Sequence, residues 1–146
     1  MERVIALFIR AGLSLIIGFM IEGGLLLIAT LLTGTLMFNL PTRPPMWLLS
    51  LTVGLGCGLA AFVCFFKPES DCKINGITLL TSATSGLLGG YIGTFLSNPE
   101  GVRNQRMIAS SLTSPDVAPF VYMGVLLATA ATGTWYAYRL WVYNED

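Results

Sequence analysis

Long apolar runs alternate with short polar interruptions along this chain, and each run has the length of a membrane-crossing helix. Apolar character extends from Val4 to Leu40, broken only by Arg10 and Glu22. Met46 to Phe66 carries no charge, and neither does Gly76 to Ser97. A further run covers Ala118 to Tyr138. A hydrocarbon core of about 30 Å needs roughly 20 apolar residues in an α-helix. The pattern therefore predicts an all-α integral membrane protein, one membrane domain over residues 1–146. It has about four transmembrane helices, near 12–38, 46–66, 76–97 and 118–138, and a loop at 98–117.

The first run is too long for one simple span. As a straight helix it would reach roughly 55 Å. Two readings are open. Residues 1–11 lie at the interface and 12–38 cross with a tilt, or Glu22-Gly23-Gly24 is a turn between two short spans. The first is favoured, because the second puts Arg10 in mid-membrane. Glu2, Arg3, Ala6 and Arg10 share one helical side. That suits an interfacial N-terminal segment whose Arg10 reaches back to the headgroups. The start shows no signal-peptide cleavage pattern and is expected to be retained. Pro41, Pro44 and Pro45 end the run.

Gly76 to Ser97 reads as the centre of the bundle. Thr78, Ser82, Gly86, Gly90 and Thr94 recur every fourth residue, and so do Thr81, Ser85, Gly89, Gly93 and Ser97. Rows offset by three and four residues lie side by side on a helix, so one face is small and hydroxyl-bearing. Such a face admits a second helix at close range. Ser50, Gly54 and Gly58 form a similar row, and Gly124, Ala128 and Thr132 another. The expected helix-packing residues are Gly54, Gly58, Ser82, Ser85, Gly86, Gly89, Gly90 and Gly93. Trp47, Phe65 and Phe66 are expected as interfacial anchors. So are Trp135, Tyr136, Tyr138, Trp141 and Tyr143, with Arg139 among them. Ser114-Pro115 has the form of an N-cap followed by proline at the first helical position.

Composition sharpens the class. Hydrophobic residues make up 54% and charged residues 11%, against about 25% charged in a typical soluble domain. The net charge of zero points away from a nucleic-acid partner. Four spans put both termini on one side. Arg3, Arg10, Lys67, Lys73 and Arg139 fall there, against Arg43, Arg103 and Arg106 opposite, which weakly favours cytoplasmic termini.

Histidine is absent. That removes His-ligated cofactors, His-dependent acid–base catalysis and most transition-metal sites from this chain alone. Cys57, Cys64 and Cys72 have no metal-ligand spacing. Cys57 and Cys64 share a helical side and read as small apolar filler. Cys72 is either a free thiol or half of a disulfide. No G-x-S-x-G motif occurs and no histidine is present to activate a serine, so no catalytic or metal-binding residue is expected. Gly54-x-Gly56-x-Gly58 lies inside an apolar run and reads as packing rather than a dinucleotide fingerprint. Glu22 is the candidate ionisable site, because a carboxyl within an apolar run is costly to bury.

These features predict a non-catalytic accessory or structural subunit of a larger multi-subunit membrane complex, such as a bioenergetic one. Its partners would be other membrane subunits and the lipid bilayer. Lipid or pigment contacts fit that role, although the sequence names no cofactor. The alternative is a small homo-oligomeric ion or solute transporter or channel built around Glu22.

Overall fold

The computed structural model describes residues 1–37, 46–96 and 118–142, and every regular element among them is an α-helix. These are α1 (Glu2–Met37), α2 (Met46–Phe65), α3 (Cys72–Leu96) and α4 (Ala118–Val142). The expected proline break at 41–45, the loop 98–117 with Ser114-Pro115, Ser97, Tyr143 and the cations Arg43, Arg103 and Arg106 lie outside the described residues. By length and composition, one described stretch, Glu2–Leu25, could cross a membrane, and Leu51–Phe65 is a shorter apolar stretch.

The first run is one continuous helix. Glu22-Gly23-Gly24 is not a turn, and residues 2–11 pass without a break into the remainder of α1. The polar side of that N-terminal stretch faces the bundle. Arg3 donates to the Leu140 carbonyl at 3.2 Å. Arg10 donates to the carbonyls of Cys64 at 3.0 Å and Phe66 at 3.2 Å. Unsatisfied carbonyls at a helix C-terminus are strong acceptors for a guanidinium. They draw Arg10 inward and not toward headgroups.

α2 and α4 touch each other, and each touches both α1 and α3. The expected centre, α3, therefore lies on one side of the α2–α4 pair, with α1 on the other. Contacts between Arg3 and Leu140, Arg10 and Cys64, and Arg139 and Ser70 gather four helix ends. The start of α1, the end of α2, the start of α3 and the end of α4 share one end of the bundle.

The two small rows of α3 serve two neighbours. A Cβ on Gly54 would lie 2.7 Å from Leu87 Cα, and one on Gly58 would lie 2.7 Å from the Ser82 carbonyl oxygen. Gly86 meets the backbone of Gly54 and Gly58 in return. On the other row, a Cβ on Gly89 would lie 2.6 Å from the Met123 carbonyl oxygen and 2.8 Å from Gly124 Cα. Ser85, Gly90 and Gly93 are buried on the same faces. Backbones meet here with no side chain between them. The apolar core forms between α2 and α4, from Val53, Cys57, Ala61, Val121, Val125 and Ala128, with Leu15 and Phe19 of α1 against it.

Two aromatic anchors turn inward. Phe65 is fully buried and packs on Tyr136 at 5.6 Å between ring centroids. Tyr136 also lies under the Arg10 guanidinium, 5.0 Å from its ring centroid. Helical spacing accounts for this: Tyr136, Arg139 and Leu140 share the inner face of α4, while Tyr138 and Trp141 point out.

Candidate functional site

Three groups of polar side chains lie inside the bundle. The first is at the α1–α2 seam. Glu22 is fully buried. Cys57 donates its thiol to Glu22 Oε1 at 3.3 Å, and Oε2 has no protein partner. Gly56 makes this possible: a Cβ there would lie 2.5 Å from Oε1 and 2.6 Å from Leu25 Cδ1. The three glycines of α2 therefore face two ways. Gly54 and Gly58 meet α3, and Gly56, two residues from each and so on the opposite side of the helix, receives the carboxyl.

The second group joins α1 to α4. Ser14 and Thr129 hydroxyls are 2.8 Å apart and buried. Gly18 lies nearby on α1, where a Cβ would come within 2.9 Å of Val125 Cγ1.

The third group is centred on Arg139, only 2% exposed. It donates to Ser70 Oγ in the α2–α3 connection and to Thr78 Oγ1 at 3.4 Å. Trp135 Nε1 donates to the same Thr78 oxygen at 3.0 Å, and Thr78 in turn donates to the Ile74 carbonyl at 2.9 Å. Asn75 braces the connection from within α3, donating to the carbonyls of Lys67 and Ser70 at 3.1 and 3.2 Å. Polar chemistry thus ties the end of α4 to the start of α3.

The sequence singled out Glu22 but not its surroundings. Cys57, small apolar filler by its sequence context, is the carboxyl's donor, and Gly56 departs from the packing role that its spacing from Gly54 and Gly58 suggests. Arg139 was placed in an aromatic belt and is instead an interior cation. A signal for Arg139 existed: it is four residues after Trp135 and three after Tyr136, on the side of α4 that carries Ala128 and Thr132. The three cysteines are free thiols, with Cys57 buried and Cys72 exposed. Among the described residues, no three His, Cys, Asp or Glu side chains come together as metal ligands.

Several other hydroxyls of α3 and α4 bond to their own helix. Ser82 donates to the Leu79 carbonyl at 3.0 Å, Ser85 to Thr81 at 2.6 Å and Thr132 to Ala128 at 2.7 Å. Even the exposed Thr84 and Thr134 donate to Leu80 and Ala130, each at 2.7 Å. Hydroxyls closed in this way have spent their one donor and retain acceptor capacity only. No family model, curated protein or solved structure matches the chain, so the functional reading rests on these residues alone.

Proposed function

We propose that the chain is a four-span helical membrane protein that acts as a non-catalytic structural subunit of a larger membrane complex. The observation that carries the membrane placement is the inverted distribution of polarity. Glu22, Arg139, Ser14, Thr78 and Thr132 lie inside, whereas Phe8, Met20, Leu80, Leu59 and Phe95 are between 55% and 72% exposed. Water would drive the opposite arrangement. Lipid tolerates it, because apolar side chains lose nothing against acyl chains and polar groups must find partners inside. α3 and α4 are less apolar than α1 because their inner faces carry Gly, Ser and Thr.

The subunit role is supported by how the interior is occupied. Almost every described buried polar side chain holds one helix to another or closes onto its own backbone, leaving no constellation for chemistry. The surface for a partner is not the glycine rows, which are used within the chain. A partner would meet an outer apolar face instead, such as the ridge of α1 where Ile5, Phe8, Ile9, Leu13, Ile16 and Met20 are exposed in a continuous stripe. Resistance of the membrane-bound chain to alkaline carbonate extraction tests the placement; release into the soluble fraction would refute it. Native mass after extraction in a mild detergent tests the role. A large particle with other chains at fixed ratio is expected, and a small particle of this chain alone would overturn it.

A second reading, a small homo-oligomeric transporter or channel, is favoured by an exception to that interior pattern: the free oxygen of Glu22. It requires ion or solute flux in liposomes that Glu22→Gln abolishes.

A further inference from the structure

We propose that Glu22 is a proton-binding site, with the proton on Oε2, and that the proton is held only while α1 is seated on α2. Such a site rests on the burial of Glu22 between α1 and α2 and on neither functional reading.

The two carboxyl oxygens of Glu22 are not equivalent. Oε1 accepts the thiol of Cys57, so it has the role of a carbonyl oxygen. Nothing donates to Oε2, which leaves it as the hydroxyl oxygen. An ionised carboxylate offers about four acceptor sites. Here it would be fully buried with Cys57 as the one residue that stabilises its charge, which does not offset the loss of hydration. A neutral acid needs far less.

The charged groups around the site support this assignment. On α1 itself, Arg10 lies twelve residues away, about 18 Å along the axis, and is bound to α2 carbonyls. Arg3 is further still and reaches Leu140. On α2 the titratable neighbours are the thiols Cys57 and Cys64. On α4, Tyr122 packs on Phe19, Tyr136 lies beneath Arg10, and Arg139 is engaged with Ser70 and Thr78 at the far end. Arg3, Arg10 and Arg139 are therefore all engaged away from Glu22, and Lys67 and Lys73 belong to the end of the bundle where Arg10 meets Phe66.

The seam that encloses the carboxyl is of a kind that can open. α1 is held by side-chain hydrogen bonds and not by backbone contact of the Gly54–Gly86 type. If α1 moves from Gly56 far enough for water to enter the seam, Glu22 can ionise; closing the seam again requires a proton. Proton uptake and α1 docking are then one event.

Infrared difference spectra of the full chain in liposomes test this at neutral pH. Wild type minus Glu22→Gln should show the carbonyl stretch of a protonated carboxylic acid; carboxylate bands in its place would overturn the assignment. Cys57→Ala should retain the acid band and move it to higher frequency, since the carbonyl oxygen loses its donor. An unmoved band would overturn the geometry. Gly56→Leu, which drives a side chain into the seam, should replace the acid band with carboxylate bands and open Cys57 to maleimide. An acid band that persists with Cys57 reactive would refute the coupling. Should Gly56→Leu fail to fold, Arg10→Ala provides the same readout by loosening α1. Failure of carbonate resistance would count against the membrane placement only, since the acid band can also be read in detergent.

Discussion

α1 and α3 occupy opposite sides of the α2–α4 pair and are held there by different forces. α3 is fixed along most of its length by backbone proximity, with Trp135 and Arg139 of α4 adding hydrogen bonds to Thr78 at one end. Gly54, Gly58, Gly86 and Gly89 let main chains meet where any Cβ would collide with a carbonyl or a Cα. α1 is fixed by side-chain hydrogen bonds: Arg3 to Leu140, Arg10 to Cys64 and Phe66, Ser14 to Thr129, and Cys57 to Glu22. Its glycines mark the contrast: a Cβ on Gly12 or Gly24 would meet nothing within 4 Å, and one on Gly18 would meet the side chain of Val125 and no backbone. The lesson concerns separability. A dry backbone seam has no intermediate state, because a small displacement loses many van der Waals contacts together. A seam of discrete polar contacts can release one at a time, and the ionisable residue lies on that seam.

The contrast can be broken most severely at α3. Gly86→Leu forces a branched side chain against the backbone of α2 and should cost about 3 kcal/mol or more, the upper range for overpacking. Thermal unfolding in detergent should show the loss with no rescue by added lipid. On the other seam, Arg10→Ala removes two bonds to carbonyls and the contact with Tyr136. It should weaken α1 docking by about 1.5 kcal/mol, the lower range for hydrogen bonds to a charged group. The maleimide reaction of buried Cys57, measured with Cys64 and Cys72 replaced by Ser, should then accelerate about tenfold. An unchanged rate would show that α1 is held elsewhere.

Ser14→Ala sharpens the comparison further. It removes one interhelical bond, which in membrane proteins averages about 0.6 kcal/mol. The effect should be visible in Cys57 reactivity before it is visible in global unfolding. The smallest effect has the opposite sign. Gly24→Ala fills open space on a helix and should stabilise by about 0.5 kcal/mol through reduced unfolded-state freedom. Destabilisation at that site would mean that α1 has a close neighbour there.

Much of this fold was legible because its signals are local. Uncharged runs of about twenty residues, the break in the Lys67–Lys73 region, and the four-residue recurrence of Gly, Ser and Thr in α3 arise from helix geometry and need no knowledge of neighbours. The candidate site was legible in only one residue. Glu22 is conspicuous as a lone acid in an apolar run, but its donor Cys57 is 35 residues away, and nothing local distinguishes Gly56 from Gly54 and Gly58.

By itself the sequence determined that the chain is helical, that its helices carry small faces, and that one carboxyl has to be accommodated among apolar residues. It could not determine which small face meets which helix. A glycine row records that something approaches closely and not what does, so the rows read equally well as external docking surfaces until the backbone contacts showed them satisfied within the chain. Nor could it determine the direction of Arg10 and Arg139. A guanidinium near a helix end can reach water, headgroups or a neighbouring carbonyl, and its position in the chain is the same in each case. Only the packing of α1 and α4 against the ends of α2 and α3 brought acceptors within reach and turned both cations inward.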